Sequence, residues 1–287
     1  MDLKRILVAV STPSSRDAAF ERALTLAKSS GAELYVLHAV PANRRYSFRA
    51  SERRERMADV RTRAEEAGLR IDTVEQQGDP AAVIELHARA REVDLIVMGS
   101  APQRNWFSRR SSVAEKVIRR THVPTLVVGD SAADGAVPFR RVLVGLDLSP
   151  SSKDVLDGAI ALTAGDPAQL TVMHTVKGIE AADAVQTPGR WKVPEYRGHL
   201  IDDARQAMAT IAAAVPPRVE TEIRVATGSA ARAILERAAG VGADLIVIGR
   251  SRGFSLLGST ALRVLRGNDR ALLVVPGVDA GERERAA

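Results

Sequence analysis

Arg141-Val142-Leu143-Val144-Gly145-Leu146 restates Arg5-Ile6-Leu7-Val8-Ala9-Val10, and both runs lead through a Ser/Pro turn into an alanine-rich helical stretch. Further along, Asp94-Leu95-Ile96-Val97-Met98-Gly99 recurs as Asp244-Leu245-Ile246-Val247-Ile248-Gly249, and Thr125-Leu126-Val127-Val128 recurs as Leu272-Leu273-Val274-Val275. Self-similarity on this scale marks a duplicated unit. The repeated runs are apolar throughout rather than alternating, which suits strands buried on both faces of a parallel sheet.

Working outward from these runs, the first unit is expected to place strands at 6–10, 34–38, 70–76, 95–99 and 125–128, with helices at 17–30, 52–67, 81–91 and 113–121. The second unit repeats the order, with strands at 142–146, 169–174, 220–226, 245–249 and 272–275 and helices at 153–163, 198–215, 229–240 and 260–265. The predicted fold class is α/β: two doubly wound, parallel, five-stranded sheets in tandem, as domains 1–130 and 138–277, each with its own core. Ligands of such sheets bind at the carboxyl ends of the strands, so the loops after the first and fourth strands are the places to inspect. Gly178 to Pro194 reads as a surface excursion in which Pro188, Gly189 and Pro194 break regular structure. The charged tail Gly281 to Ala287 is expected to fray.

Composition bounds the chemistry. The 287 residues are 45% hydrophobic, 3% aromatic and 26% charged, the balance of a globular chain whose core is Ala, Val, Leu and Ile. Zero cysteines exclude disulfides, thiolate metal sites and a Cys nucleophile. No apolar run approaches the roughly 18 residues that span a bilayer, and no export signal opens the chain, so a cytoplasmic location is expected. The net charge of +6 raises the question of nucleic acid. Its densest basic stretch, Arg44 to Arg56, is interleaved with Glu52 and Glu55 and reads as a solvated, partly ion-paired helix face, which makes nucleic acid an unlikely partner.

The candidate site follows the fourth strand of the second unit: Gly249-Arg250-Ser251-Arg252-Gly253-Phe254-Ser255-Leu256-Leu257-Gly258-Ser259-Thr260, then a helix. A glycine-rich loop ending in Gly-Ser-Thr at a helix start aims free N–H groups at an anion. The bland alternative is a tight turn with a Ser/Thr cap. Asp147, after the first strand in Asp147-Leu148-Ser149-Pro150, adjoins the same strand ends and is placed to accept from a ribose or to meet a metal ion. Its alternative is local bonding to backbone donors. His38 and His174, at equivalent strand ends with no carboxylate cluster beside them, read as packed histidines. Trp106 and Phe107 read as a plug over a vacant first site.

These motifs together resemble the universal stress protein family in its tandem two-domain form: the Asp-x-Ser-Pro turn at Asp147 to Pro150, the strands ending in His38 and His174, and the D-L-I-V-h-G strand before a glycine loop. Two further turns belong with them, Gly78 to Pro80 and Gly228 with Ser229. The resemblance implies Rossmann-like domains of the HUP type, with the last strands of the two halves pairing edge to edge as an intramolecular pseudo-dimer. It implies ATP in the second domain: phosphates at Gly249, Arg250, Arg252, Gly253, Gly258, Ser259 and Thr260, ribose or Mg²⁺ at Asp147, and adenine at the backbone of Val176. The family's ATP loop reads G-x-x-G, nine residues, then G-[ST]. Here eight residues separate Gly249 from Gly258 where that pattern has twelve, so the loop is shortened. The first half has lost the Asp and carries Pro102 and Ser111 in its loop, which makes it a degenerate, mainly structural domain. The expected function is a stress-response regulatory protein that binds an adenine nucleotide, is not an enzyme, and meets unknown protein partners or forms homo-oligomers of even number. The alternative is a protein-interaction module with both sites vestigial.

Overall fold

Each repeat alternates five strands with helices, and in each repeat the chain turns about its first strand. The structure is a computed structural model, and it describes residues 1–11, 17–41, 50–100, 112–129, 137–163, 167–176, 193–250 and 258–277. The first half runs β1 (Arg5–Val10), α1 (Ala18–Ser30), β2 (Glu33–Val40), α2 (Ala50–Glu66), β3 (Ile71–Gln77), α3 (Pro80–Ala90), β4 (Leu95–Gly99), α4 (Val113–Arg120) and β5 (Thr125–Val128). The second runs β6 (Arg141–Leu146), α5 (Ser152–Leu162), β7 (Ala168–Val176), α6 (Val193–Ala212), β8 (Val219–Thr227), α7 (Ala230–Gly240), β9 (Leu245–Arg250), α8 (Ser259–Gly267) and β10 (Ala271–Pro276).

All ten strands join one sheet, ordered β3-β2-β1-β4-β5-β10-β9-β6-β7-β8. Every pairing is parallel except that of β5 with β10, where Leu126 faces Leu273 across the centre. The last strands of the two halves pair edge to edge as expected, which is the pseudo-dimer. The core departs from the expectation of one per half. It divides by sheet face instead: one cluster lies under α1, α2, α5 and α6, the other under α3, α4, α7 and α8, and each passes through both halves. A continuous sheet leaves no gap in which to part its two faces' apolar layers.

Local signals account for the element ends. Asp17 caps α1 by accepting from the N–H groups of Ala19 and Phe20, and Gly31 ends it at φ 72°. Asp79 caps α3 with Pro80 in the first turn. Pro194, expected to break structure, is instead the second residue of α6. The first turn of a helix has no partner for its N–H groups, so a proline is tolerated there. Residues 178–192 of the expected excursion, the charged tail, and Arg44, Arg45, Arg49, Trp106 and Phe107 lie outside the described residues. Where α2 is described, its basic face is paired: Arg53 forks onto Glu75, Arg61 reaches Thr73 and Arg63 reaches Glu21.

The repeated Asp of D-L-I-V has a structural task at the foot of the sheet. Asp94 accepts from the N–H groups of Lys4 (2.9 Å) and Arg5 (2.8 Å), and Asp244 accepts from those of Arg140 (2.9 Å) and Arg141 (3.1 Å). Each carboxylate pins the entry of the central strand to its neighbour. Asp244→Ala should lower stability by about 1 kcal/mol, since two donors lose a charged acceptor at an exposed place. Urea unfolding would show it as a lower midpoint at unchanged slope.

Candidate functional site

Parallel pairing brings the proposed ligand groups to one end of the second half. Gly145 faces Ile248 in the β6–β9 register, so Asp147 and Arg250 leave neighbouring strand tips. His174 faces Leu146 on the other side of β6, and Val176 ends β7 just beyond. His174 Nδ1 lies 2.9 Å from the Leu146 carbonyl, and His38 Nδ1 lies 3.0 Å from that of Val10. With the proton on Nδ1, each imidazole donates to the strand beside it and fixes the tip from which the first loop departs. The histidines are packed in this sense.

Asp147 opens a self-contained turn. Its Oδ1 accepts from the Ser149 N–H at 3.0 Å and faces the Ser152 hydroxyl at 3.5 Å, while Oδ2 bonds to nothing among the described residues. Leu148, between them, sits at φ 58°, a left-handed conformation that a branched side chain seldom adopts. Its side chain packs against the small cluster of Val176 and Ala204. One oxygen of Asp147 thus serves the turn, and the other is open among the described residues. The Val176 carbonyl already accepts from the N–H of Gly228 (3.3 Å), as that of Val40 does from Gly78 (2.9 Å), so each β7-type strand is tied to the glycine turn beyond its neighbour.

The two halves differ most at the helix after the fourth strand. In the first, Ser112 caps α4 and its hydroxyl accepts from the Glu115 N–H at 3.1 Å, with Glu115 itself in the first turn. In the second, Gly258 caps α8 without a side-chain bond, no acid stands in the first turn, and Ser259 and Thr260 open the helix. A helix start without a side-chain cap presents its first N–H groups outward, with the positive end of the helix dipole behind them. At α4 the Ser112 hydroxyl closes the helix start, whereas at α8, where Ser259 aligns with Ser112, no side-chain cap is made; the Glu115 carboxylate is held by Arg119 and by Arg266 of α8.

Arg250 corrects the expectation. Rather than facing a phosphate, its guanidinium donates to the carbonyls of Ile118 (2.5 Å) and Arg119 (2.9 Å), the last turn of α4 in the other half. Burial pushes this guanidinium below its ordinary value. Sequence reasoning placed it by adjacency to Gly249, but a long side chain at a strand tip reaches whichever acceptors the tertiary fold brings near. Gly249 lies against Val155, where an added Cβ would stand 3.1 Å from a methyl. Arg252 and Gly253 lie outside the described residues. Among the described residues, no group of three His, Asp or Glu side chains is placed to hold a metal ion. No described helix is long and apolar enough to cross a membrane.

Comparisons with known proteins agree with this fold. The universal stress protein family profile matches residues 2–129 and again 138–276. A universal stress protein of Methanocaldococcus jannaschii is 32% identical over 139 residues, covering 44% of this chain and 81% of that protein. Universal stress protein A homolog 2 of Coxiella burnetii is 32% identical over 141 residues, covering 48% of this chain and 94% of its own length. Among solved structures, a universal stress protein from Archaeoglobus fulgidus superposes with a TM-score of 0.68 at 20% identity, over 96% of this chain and 97% of that one. A functionally unknown protein from Pseudomonas aeruginosa gives 0.70 at 18% identity, over 96% and 92%. Two successive profile matches, on a sheet whose halves repeat strand for strand, place the chain in the universal stress protein family, with two copies of the family's domain in tandem.

Proposed function

We propose that this protein is a regulatory binding protein that holds an adenine nucleotide, ATP with Mg²⁺, at the carboxyl ends of β6, β7 and β9 in its second half, and that it does not turn the nucleotide over. The observation that carries the reading is the open start of α8 at Gly258, against the self-capped start of α4 at Ser112. An anion at α8 meets backbone N–H groups and a favourable dipole, whereas at α4 the Ser112 hydroxyl already occupies one of those donors. Ser259 and Thr260 add hydroxyl donors. The open Oδ2 of Asp147 suits a magnesium ion that keeps most of its waters and shares phosphate oxygens. Family membership makes adenosine phosphates the class to test first.

Titration calorimetry of ATP with Mg²⁺ into nucleotide-stripped protein should give about one site per chain. Gly258→Asp puts a carboxylate on the same N–H groups and should weaken binding about tenfold or more, a like-charge effect at short range. Absence of heat at millimolar ATP would end the reading. Turnover lost in Asp147→Ala would end the non-catalytic part of it. A second reading, an interaction module with both sites vestigial, is favoured by the engagement of Arg250 in the other half and by the shortened loop. Under it, Gly258→Asp leaves partner capture unchanged.

A further inference from the structure

The second half carries a cleft of about 370 Å³ at the amino ends of β6, β7 and β8, the opposite end of the sheet from Asp147. The first half fills the corresponding place from its own chain. In its register Leu7 faces Tyr35 and Tyr35 faces Asp72; in the second half Leu143 faces Thr171 and Thr171 faces Glu222. Tyr35 fills its position with a ring stacked under the guanidinium of Arg91, 4.5 Å from its centroid, and its hydroxyl donates to Glu33 at 2.8 Å. Arg91 in turn grips Asp72 at 2.6 Å. In the second half Thr171 replaces the tyrosine and Val241, at the equivalent helix C-cap, replaces the arginine. The ring is gone, and Thr171 and Val241 line the space it would fill.

A second group is missing at the same place. Arg5, the first residue of β1, pairs with Glu92 at 3.2 Å. Its counterpart Arg141 meets Gly242 where Glu92 would be, and the position an added Cβ would take lies 3.5 Å from the Arg141 guanidinium carbon. Arg141 has no acidic partner among the described residues, and it lines the cleft. Glu222 on the far wall does not supply one, because Arg237 (2.6 Å) and Arg224 already neutralise it. The second half therefore lacks one aromatic ring and one carboxylate, side by side, that the first half supplies from its own chain.

We propose that this cleft is a binding site for a small aromatic carboxylic acid, with the ring seated over Thr171 and Val241 and the carboxylate forked onto Arg141. Arginine recognises carboxylates in a bidentate geometry and aromatic faces by cation–π contact, so one side chain serves both parts of such a ligand. The Gln169 amide, hydrogen-bonded to Glu220, offers a polar end for a ring hydroxyl where Glu33 receives that of Tyr35. The site is independent of the nucleotide reading, since the two lie at opposite ends of the strands.

The test is a methyl-detected NMR titration of the full-length protein with 4-hydroxyphenylacetate, compared with 4-methylphenol, which lacks the acid, and acetate, which lacks the ring. Saturable shifts at the Thr171 and Val241 methyls are expected with 4-hydroxyphenylacetate, at an affinity about tenfold above either fragment. Gly242→Glu restores the internal acid, and the backbone accepts it because Glu92 holds φ 46° in the same place. Thr171→Tyr restores the ring. Each should weaken binding about tenfold or more. Equal affinity in wild type and Gly242→Glu, equal response to acetate, or shifts spread beyond the cleft would overturn the proposal. Gly242→Glu decides the matter alone if Thr171→Tyr fails to fold.

Discussion

Gly129→Ala should lower the midpoint of thermal unfolding by roughly 5–10 °C, about 3 kcal/mol, the upper end of what one added methyl costs in a packed site. Gly129 follows β5 at the line where the two halves meet. A Cβ built there would stand 2.0 Å from the carbonyl oxygen of Asp269 and 2.9 Å from its carbon. Both are backbone atoms, so no side chain can swing aside. The turn that carries them is itself braced: the Asn268 side chain donates to the Arg270 carbonyl at 2.7 Å and accepts from its N–H at 3.1 Å. Relief must come from moving β10 against β5, across the three-residue antiparallel register that joins the halves. Gly99→Ala is the control, at the end of β4 where an added Cβ meets nothing within 4 Å among the described residues. Scanning calorimetry should show a loss for the first and none for the second; equal midpoints would mean that the junction gives way freely.

Arg250→Met should cost about 2 kcal/mol, because two charge-assisted bonds to helix carbonyls are lost while the apolar stem is kept. The carbonyls of Ile118 and Arg119 belong to the last turn of α4, where a helix has acceptors without partners and favours a positive charge. Arg250→Lys should recover only part of the loss, since an ammonium lacks the planar fork that reaches both oxygens. Urea unfolding of the three proteins measures this, and a methionine variant as stable as wild type would show the contact to be idle. The same variants bear on the nucleotide reading. An Arg250 committed to α4 leaves ATP affinity nearly unchanged in Arg250→Met, whereas an Arg250 that turns toward a phosphate makes affinity fall with stability.

Much of the architecture was legible because its signals are local or periodic. The apolar runs at Ile6 to Val10 and Val142 to Leu146 are strands, and the caps at Asp17 and Asp79 start helices where they should. Pro194 misled because a proline reads as a breaker until its position within a helical turn is known. Of the candidate site, the sequence showed where to look: the loops at the carboxyl ends of β6 and β9. Asp147 and Gly258 were singled out by type and spacing, and alignment of the halves sets Ser111 opposite Gly258. The contact of Arg250 with α4 was not legible, because its acceptors lie 132 and 131 residues away.

The sequence by itself determined that the chain is a duplicated α/β unit with parallel sheets, since apolar periodicity and a repeated Asp-Leu-Ile-Val follow from neighbours along the chain. Only the tertiary structure decided how the halves share one sheet and two face-wise cores, which guanidinium caps which helix, where a glycine is irreplaceable, and where a missing ring and a missing acid fall together. Those outcomes depend on distances between residues far apart in sequence, and close packing settles such distances only after every element is in place.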